Sequence, residues 1–421
     1  MSRDPRRISC VYRIESAVEL SRAAATLAGE QSSGTFVAVP GETPELHERF
    51  GAEVVEVRES HRSAPSLPSR TAPDEVSVGD VTVEFPMESV GTDLATLLTA
   101  VAGNLFELGE LTGCRLQSIH LPDDLVAAHP GPAHGIAGTR KLVGNDDEVL
   151  IGTIIKPNIG LGPDEYRRIV GELARAGIDL IKDDELMTDP SYLPLSTRVR
   201  LAQEEIRAAS DVTGRHTMYA FNITGDLAGL RRRHDKVVAA GGSCVMLSVP
   251  VMGLPALAYL RSFAEVPVHA HRAGLAASMR HPALGVDYTV WQQLARLAGA
   301  DQIHVSGLGS KFYETDEQVA ANIRSLQRPL GRTLAPLPVL SSGQNVHTPG
   351  LTHASVGSSD LLMLAGGGIA AHPDGPAAGV RSLRQSWQAA IAGESAEALA
   401  ARLSTEGDSA LSHALTAFRR T

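Results

Sequence analysis

The chain has 421 residues with 38 basic and 48 acidic side chains, a formal net charge of −10 and 43% hydrophobic residues. That length accommodates a large α/β domain beside a smaller one, and the acidic balance argues against a general nucleic-acid binder. Three widely spaced cysteines (Cys10, Cys114, Cys244) suggest neither a disulfide framework nor a zinc site; with no secretory-type apolar stretch and no apolar run of about 18 residues, a cytoplasmic protein that does not span a membrane is expected.

Residues 1–125 read as a smaller α+β domain of ferredoxin-like type. "ISCVYRIES" alternates as a strand does, and "AVELSRAAATLAGEQ" carries apolar residues at helical spacing. "TFVAV", "AEVVEVRES" and "VTVEFP" are further strand candidates, "DLATLLTAVAGNLFEL" a second helix and "CRLQSIHLP" a last strand. The segment beginning "DDLVAAHPGPAHG" is rich in Pro, Gly and charge, and residues 126–146 read as a connector.

From 147 to 421 the rhythm changes. Short apolar runs recur as "VLIGTII", "DLIKDD", "TMYAFNIT", "SCVMLSV", "VPVHAHR", "QIHVSGL", "LPVLSSG" and "LLMLAGGG", most of them separated by amphipathic helical stretches. Eight strand–helix alternations over about 250 residues predict a (β/α)₈ barrel with C-terminal helices, in preference to an open doubly wound sheet. The polar residues fall at or near the C-terminal ends of these runs: Lys156, Lys182, Asp184, Glu185, Asn222, His269, His271, Arg272, His304, Ser341 and Gly366. In a barrel that rim is where an active site is built.

Lys182-Asp183-Asp184-Glu185 ends the second run. Acids there suit a solvated helix start, but Asp184 and Glu185 are also hard oxygen ligands suited to Mg²⁺, with room left for water and substrate. Lys182 cannot ligate as an ammonium; as a carbamate, formed from CO₂ and the neutral amine, it would offer an oxygen anion. Lys156, in "IIKPN", reads either as a surface lysine or as a general base that removes a proton alpha to a carbonyl. "VHAHRA" sets His269 and His271 on one strand face, either as core histidines or as site groups, and Arg272 beside them suggests an anion. After His304, a glycine-bearing loop carries Lys311, which fits a lid that closes on substrate. Ser341, Gly343, Gly366, Gly367 and Gly368 end the last two runs, where backbone N–H groups can meet a phosphate.

In this order the motifs "GEQSSGTF", "GNLFEL", "GPAHGI", "GTIIKPNIGL", "KDDE", "HAHRA", "IHVSGLGSK", "LSSG" and "GGGIAAHPDGPAAG" resemble the ribulose-bisphosphate carboxylase (RuBisCO) large-chain family over nearly the whole chain. The resemblance implies that Lys182 is carbamylated, that Asp184 and Glu185 join it in holding Mg²⁺, and that Lys156 is the enolising base. It gives His271 a place among the catalytic residues, makes Lys311 the lid lysine, and has Arg272, His304 and Ser341 hold the substrate. Gly343, Gly366 and Gly367, with Thr35, would bind a phosphate. Glu30, Thr35 and Asn104 of the smaller domain would complete the partner subunit's site, so a homodimer or higher oligomer is expected.

Departures from the carboxylases carry equal weight. Asn158 stands where they have a lysine, Leu275 where they have a histidine and Phe36 where they have a tryptophan; the lid reads "LGSKFYE", and the C-terminus is short. This pattern is similar to the RuBisCO-like (form IV) proteins, which share enediolate chemistry on phosphorylated keto sugars or sugar acids. The expected activity is decarboxylation of a 3-oxo sugar acid phosphate of the 3-oxo-isoapionate 4-phosphate type. Hydrolysis of the same acid, enolisation or isomerisation of a methylthio-pentulose phosphate, and a non-catalytic sugar-phosphate scaffold are the alternatives. The retained Lys311 favours a substrate carboxylate.

Overall fold

The computed structural model describes residues 6–34, 39–70 and 73–419. In chain order its strands are β1 (Arg7–Ser16), β2 (Glu53–Ser63), β3 (Val76–Pro86), β4 (Leu111–His120), β5 (Leu150–Ile154), β6 (Leu180–Lys182), β7 (Met218–Asn222), β8 (Cys244–Ser248), β9 (Val268–His271), β10 (Leu284–Val286), β11 (Gln302–His304), β12 (Leu337–Leu340) and β13 (Leu362–Leu364). The chain divides into two compact units. The first comprises residues 1–130, 274–298 and 330–333, and the second residues 131–273, 299–329 and 334–421.

In the first unit β4, β1, β3 and β2 lie in that order and pair antiparallel, with a helix after β1 and another between β3 and β4. This strand order is the ferredoxin-like one, in line with the smaller α+β domain expected. The helix Leu20–Glu30 buries Leu20, Ala23, Ala24 and Leu27, the i, i+3, i+4, i+7 stripe that a sheet-packed helix requires. Tyr12 donates its hydroxyl to the Val101 carbonyl at 2.7 Å, which ties the second helix to β1.

Some local readings need correction. The stretch read as one helix over 93–108 is an α-helix at Leu94–Ala102 followed by a separate 3-10 turn at Asn104–Glu107. The break falls at Gly103, where a Cβ would stand 2.4 Å from the Thr99 carbonyl oxygen. A helix at Pro44–Phe50, capped by Thr43, buries no residue and so leaves no apolar stripe in the sequence. The segment from Asp123 read as a connector contains helices at Asp123–Ala127 and Gly135–Val143. A fifth strand, β10, joins the sheet parallel to β4. The candidate strand "TFVAV" falls mostly outside the described residues.

In the second unit β5, β6, β7, β8, β9, β11, β12 and β13 close into a parallel barrel, the eight apolar runs read from the sequence. Its interior is packed by Leu150, Leu180, Met218, Met246, Leu337, Val339 and Leu362 among others. Gly152 in β5 is required by that packing: a Cβ there would meet Leu364 Cδ2 at 2.6 Å and the Leu180 carbonyl oxygen at 3.0 Å. Buried Asp301 precedes β11. It pairs with Arg261 at 2.9 Å and accepts from the backbone N–H groups of His134, Gly135 and Val268, fixing the strand entrances. Among the described residues no helix is long and apolar enough to cross a membrane.

Candidate active site

The rim at the strand C-termini collects the second unit's polar groups. Lys182 ends β6 and is paired in register with Ile154 of β5 and Ala220 of β7. Its side chain is only 1% exposed; Nζ donates to the Asp183 carbonyl at 2.7 Å and lies 3.9 Å from Glu185 Oε2. Burial pushes its pKa down; the Glu185, Asp184 and Asp183 carboxylates oppose that, and the Lys156 charge adds to it. A larger neutral fraction follows, and the neutral amine is the form that reacts with CO₂.

Lys156 follows β5. Its Nζ donates to Asn158 Oδ1 at 2.6 Å and to Asp184 Oδ2 at 3.1 Å, which places the lysine tip between the first loop and the acidic cluster. Gly366 closes in on the other side, where a Cβ would stand 3.3 Å from Lys156 Cε. Gly367 follows it in the helix Gly366–Ala370 and has open space where a Cβ would be.

The three acids of the cluster have different work. Asp183 is buried. It accepts from Arg198 at 3.1 and 3.3 Å, from the Tyr219 hydroxyl at 2.8 Å and from the Asn222 backbone N–H at 2.9 Å. Asn222 also donates its amide to the carbonyls of Asp184 and Glu185, at 3.3 and 3.2 Å. This network fixes the backbone from which Asp184 and Glu185 project. Breaking a buried ion pair costs about 3–5 kcal/mol, so Asp183→Ala should lower the urea unfolding midpoint strongly. Asp184→Ala, which removes no partner of Arg198, should lower it much less.

His271 ends β9 with Nε2 3.7 Å from Glu185 Oε2, and its ring meets that of His304 at 4.4 Å between centroids. His304 ends β11, with Nδ1 3.4 Å from Ser341 Oγ. Desolvation pushes both rings well below the ordinary histidine pKa, and the Lys182 charge adds to it. Ser342, between Ser341 and Gly343, has φ +73°, and Gly343 has φ +79°. A serine in that region marks a turn imposed by its surroundings.

Arg272 is engaged within the protein: its guanidinium forks onto the Glu314 carboxylate, with Nη1 to Oε1 at 3.1 Å and a second, shorter contact from Nη2. Glu314 lies on the loop that carries Lys311, so this pair ties the lid's far end to β9. Sequence reading missed Glu314 and Arg198, because neither belongs to a recognisable motif and their partners are distant in the chain. The lid's Lys311 is exposed, and its backbone N–H reaches the Ser342 carbonyl at 3.4 Å.

The rim thus brings together Lys156, Lys182, Asp184, Glu185, His271, His304 and Ser341. In the first unit Asn104 Nδ2 lies 3.4 Å from Glu30 Oε1; Thr35 and Phe36 lie outside the described residues. Among the described residues no three His, Cys, Asp or Glu side chains converge on a metal position. The donor set still fits Mg²⁺ if a further oxygen is supplied beside Asp184 and Glu185, and Lys182 is the buried amine placed to carry it.

Residues 2–125 match the N-terminal domain and residues 135–417 the catalytic domain of the ribulose bisphosphate carboxylase large chain. The chain belongs to the RuBisCO large-chain family. A 3-oxo-isoapionate-4-phosphate transcarboxylase/hydrolase of Xanthobacter autotrophicus is 46% identical over 94% of this chain and 96% of its own. A 3-oxo-isoapionate-4-phosphate decarboxylase of Rhizobium etli is 41% identical over 92% and 94%. The crystal structure of a RuBisCO-like protein from Burkholderia fungorum superposes with a TM-score of 0.90 at 41% identity, covering 98% of this chain and 99% of that one.

Proposed function

We propose that this chain is a Mg²⁺-dependent RuBisCO-like enzyme that decarboxylates a phosphorylated 3-oxo sugar acid of the 3-oxo-isoapionate 4-phosphate type and does not carboxylate ribulose bisphosphate. The observation that carries the reading is the contact of Lys156 with both Asp184 and Asn158. It sets an amine against the acidic cluster and puts a non-titrating amide where the carboxylases keep a second lysine.

Lys182 as carbamate, Asp184 and Glu185 would hold the ion. Mg²⁺ bound there would draw charge from the substrate oxygens. In a 3-oxo acid the bond between C2 and the carboxyl carbon breaks, CO₂ leaves, the electron pair of that bond forms the C2=C3 double bond, and the carbonyl π pair moves onto the 3-oxo oxygen. The resulting enediolate needs one proton on carbon, which Lys156 returns. Lys311 faces the carboxylate before it departs, while Ser341, Gly343, Gly366 and Gly367 take the remaining substrate oxygens.

A second reading, hydrolysis or carboxyl transfer, is favoured by the 46% identity to the transcarboxylase/hydrolase against 41% to the decarboxylase. Carboxyl-labelled substrate separates the two. Decarboxylation sends the label to volatile CO₂, whereas hydrolysis keeps it in an organic acid. The same preparation should incorporate no labelled CO₂ into ribulose bisphosphate, and steady incorporation would overturn both. Proton exchange on a methylthio-pentulose phosphate without any reaction of the 3-oxo acid would favour the isomerase instead.

The assembly we propose is a homodimer in which Glu30 and Asn104 serve the partner's site. Mixing inactive Glu30→Gln and Lys156→Ala chains should restore about a quarter of wild-type activity, the share expected for one intact site in half of the random dimers. Activity no higher than that of either parent would count against it.

A further inference from the structure

A chain of hydrogen bonds inside the barrel extends beyond the groups assigned above. Gln302, on β11, is fully buried, and its Oε1 lies 2.7 Å from His269 Nδ1. Nε2 of His269 lies 2.7 Å from Nε2 of His304, whose Nδ1 in turn lies 3.4 Å from Ser341 Oγ. Each contact needs one proton and one lone pair, and a neutral imidazole carries one N–H and one unprotonated nitrogen. Whichever end is fixed therefore sets the direction of every bond.

The fixed end is Gln302. Its Nε2 lies 3.4 Å from Met218 Sδ and 3.4 Å from Thr139 Oγ1. A thioether sulfur accepts and never donates, so the amide nitrogen belongs on the Met218 side and the amide oxygen on the His269 side. His269 then carries its proton on Nδ1, and its Nε2 accepts from His304 Nε2–H. The Nδ1 of His304 is left as the acceptor at the barrel mouth.

We propose that Gln302, through His269, is a positioning residue that holds His304 as the neutral Nε2–H tautomer, so that Nδ1 accepts from Ser341 in the free protein and from a hydroxyl of the substrate in its place once substrate binds. A phosphate at neutral pH offers mainly lone pairs and gains nothing at that nitrogen. Its binding falls to the backbone N–H and cationic groups. Burial acts in the same direction, pushing His269 down to about 3 and His304 well below its ordinary value, which favours neutral rings. The identity of the hydroxyl rests on reading the barrel mouth as the substrate site; the tautomer does not.

Long-range proton–nitrogen correlation spectra of the full-length protein labelled with ¹⁵N-histidine test this without substrate, with His304 assigned from the His304→Gln spectrum. Wild type near pH 7.5 should give a single Nε2–H tautomer for His304. Gln302→Glu, whose carboxylate accepts as the amide oxygen does, should keep it, and Gln302→Leu should give a mixture. An Nδ1–H or doubly protonated His304 in wild type overturns the proposal, as does an unchanged signal in Gln302→Leu. On whichever substrate the labelled-carboxyl assay identifies, Gln302→Leu should raise KM by about tenfold, the worth of one hydrogen bond, with a smaller change in kcat. Failure of the decarboxylase reading would leave the spectra to decide this point alone.

Discussion

On the Mg²⁺ centre proposed above, replacing Lys182 with alanine should lower turnover by about 10⁴-fold or more, because an ion acting as a Lewis acid would supply several kcal/mol and each 1.36 kcal/mol is a factor of ten. Asp184 and Glu185 are the two carboxylates available at the rim, and the buried amine beside them is the group able to provide a further anionic oxygen. Carbamylation consumes the neutral amine, and burial has already moved the Lys182 equilibrium toward it. Activation by CO₂ should therefore rise with pH through a midpoint below that of an ordinary lysine. The measurement is the rate of activity gain on adding bicarbonate and Mg²⁺ to protein freed of both. Wild type should gain activity and Lys182→Ala should not. A fully active Lys182→Ala enzyme in CO₂-free buffer would mean that the ion is held by other groups.

The barrel was legible because its strands are buried on both faces. Such strands read as continuous apolar runs, and "VLIGTII", "SCVMLSV" and "LPVLSSG" have that form. The rim was legible because charge at the end of a buried run is costly unless it is used. Geometry separates roles that the one-letter pattern merges. In Lys182-Asp183-Asp184-Glu185 the middle acid, Asp183, turns back into the protein to meet Arg198 and Tyr219, whereas its neighbour Asp184 meets Lys156. Neither Arg198 nor Glu314 has a sequence signature, since an arginine on a helix and a glutamate on a loop are ordinary surface residues. Their partners, Asp183 and Arg272, are 15 and 42 positions away. β10 was illegible for a similar reason. Its three residues become a strand only by pairing with β4, about 170 residues earlier in the chain.

Lys311→Met should cut decarboxylation by about 10²–10³-fold, the usual cost of removing one preorganised charge-stabilising group. The same change should lower proton exchange on the decarboxylated product by less than about tenfold, since that product has no carboxylate to neutralise. The loop that carries Lys311 is held at its ends. Its base is anchored on both sides of the lysine: the Gly309 N–H donates to Asp316 at 2.7 Å, and Glu314 grips Arg272. The Thr315–Gln318 capping box then starts the following helix. Between these anchors the Lys311 backbone meets the Ser342 carbonyl while its ammonium stays exposed. On the proposed reading, this exposed ammonium beside the loop after β12 is the group that meets the substrate carboxylate. Methionine keeps the length and apolar stem of lysine and removes only the charge, so the comparison isolates electrostatics. Equal losses in the two assays would assign Lys311 to the phosphate or to general closure. The isomerase reading would then stand ahead of the decarboxylase, because the carboxylate would have lost the one lid cation argued to meet it.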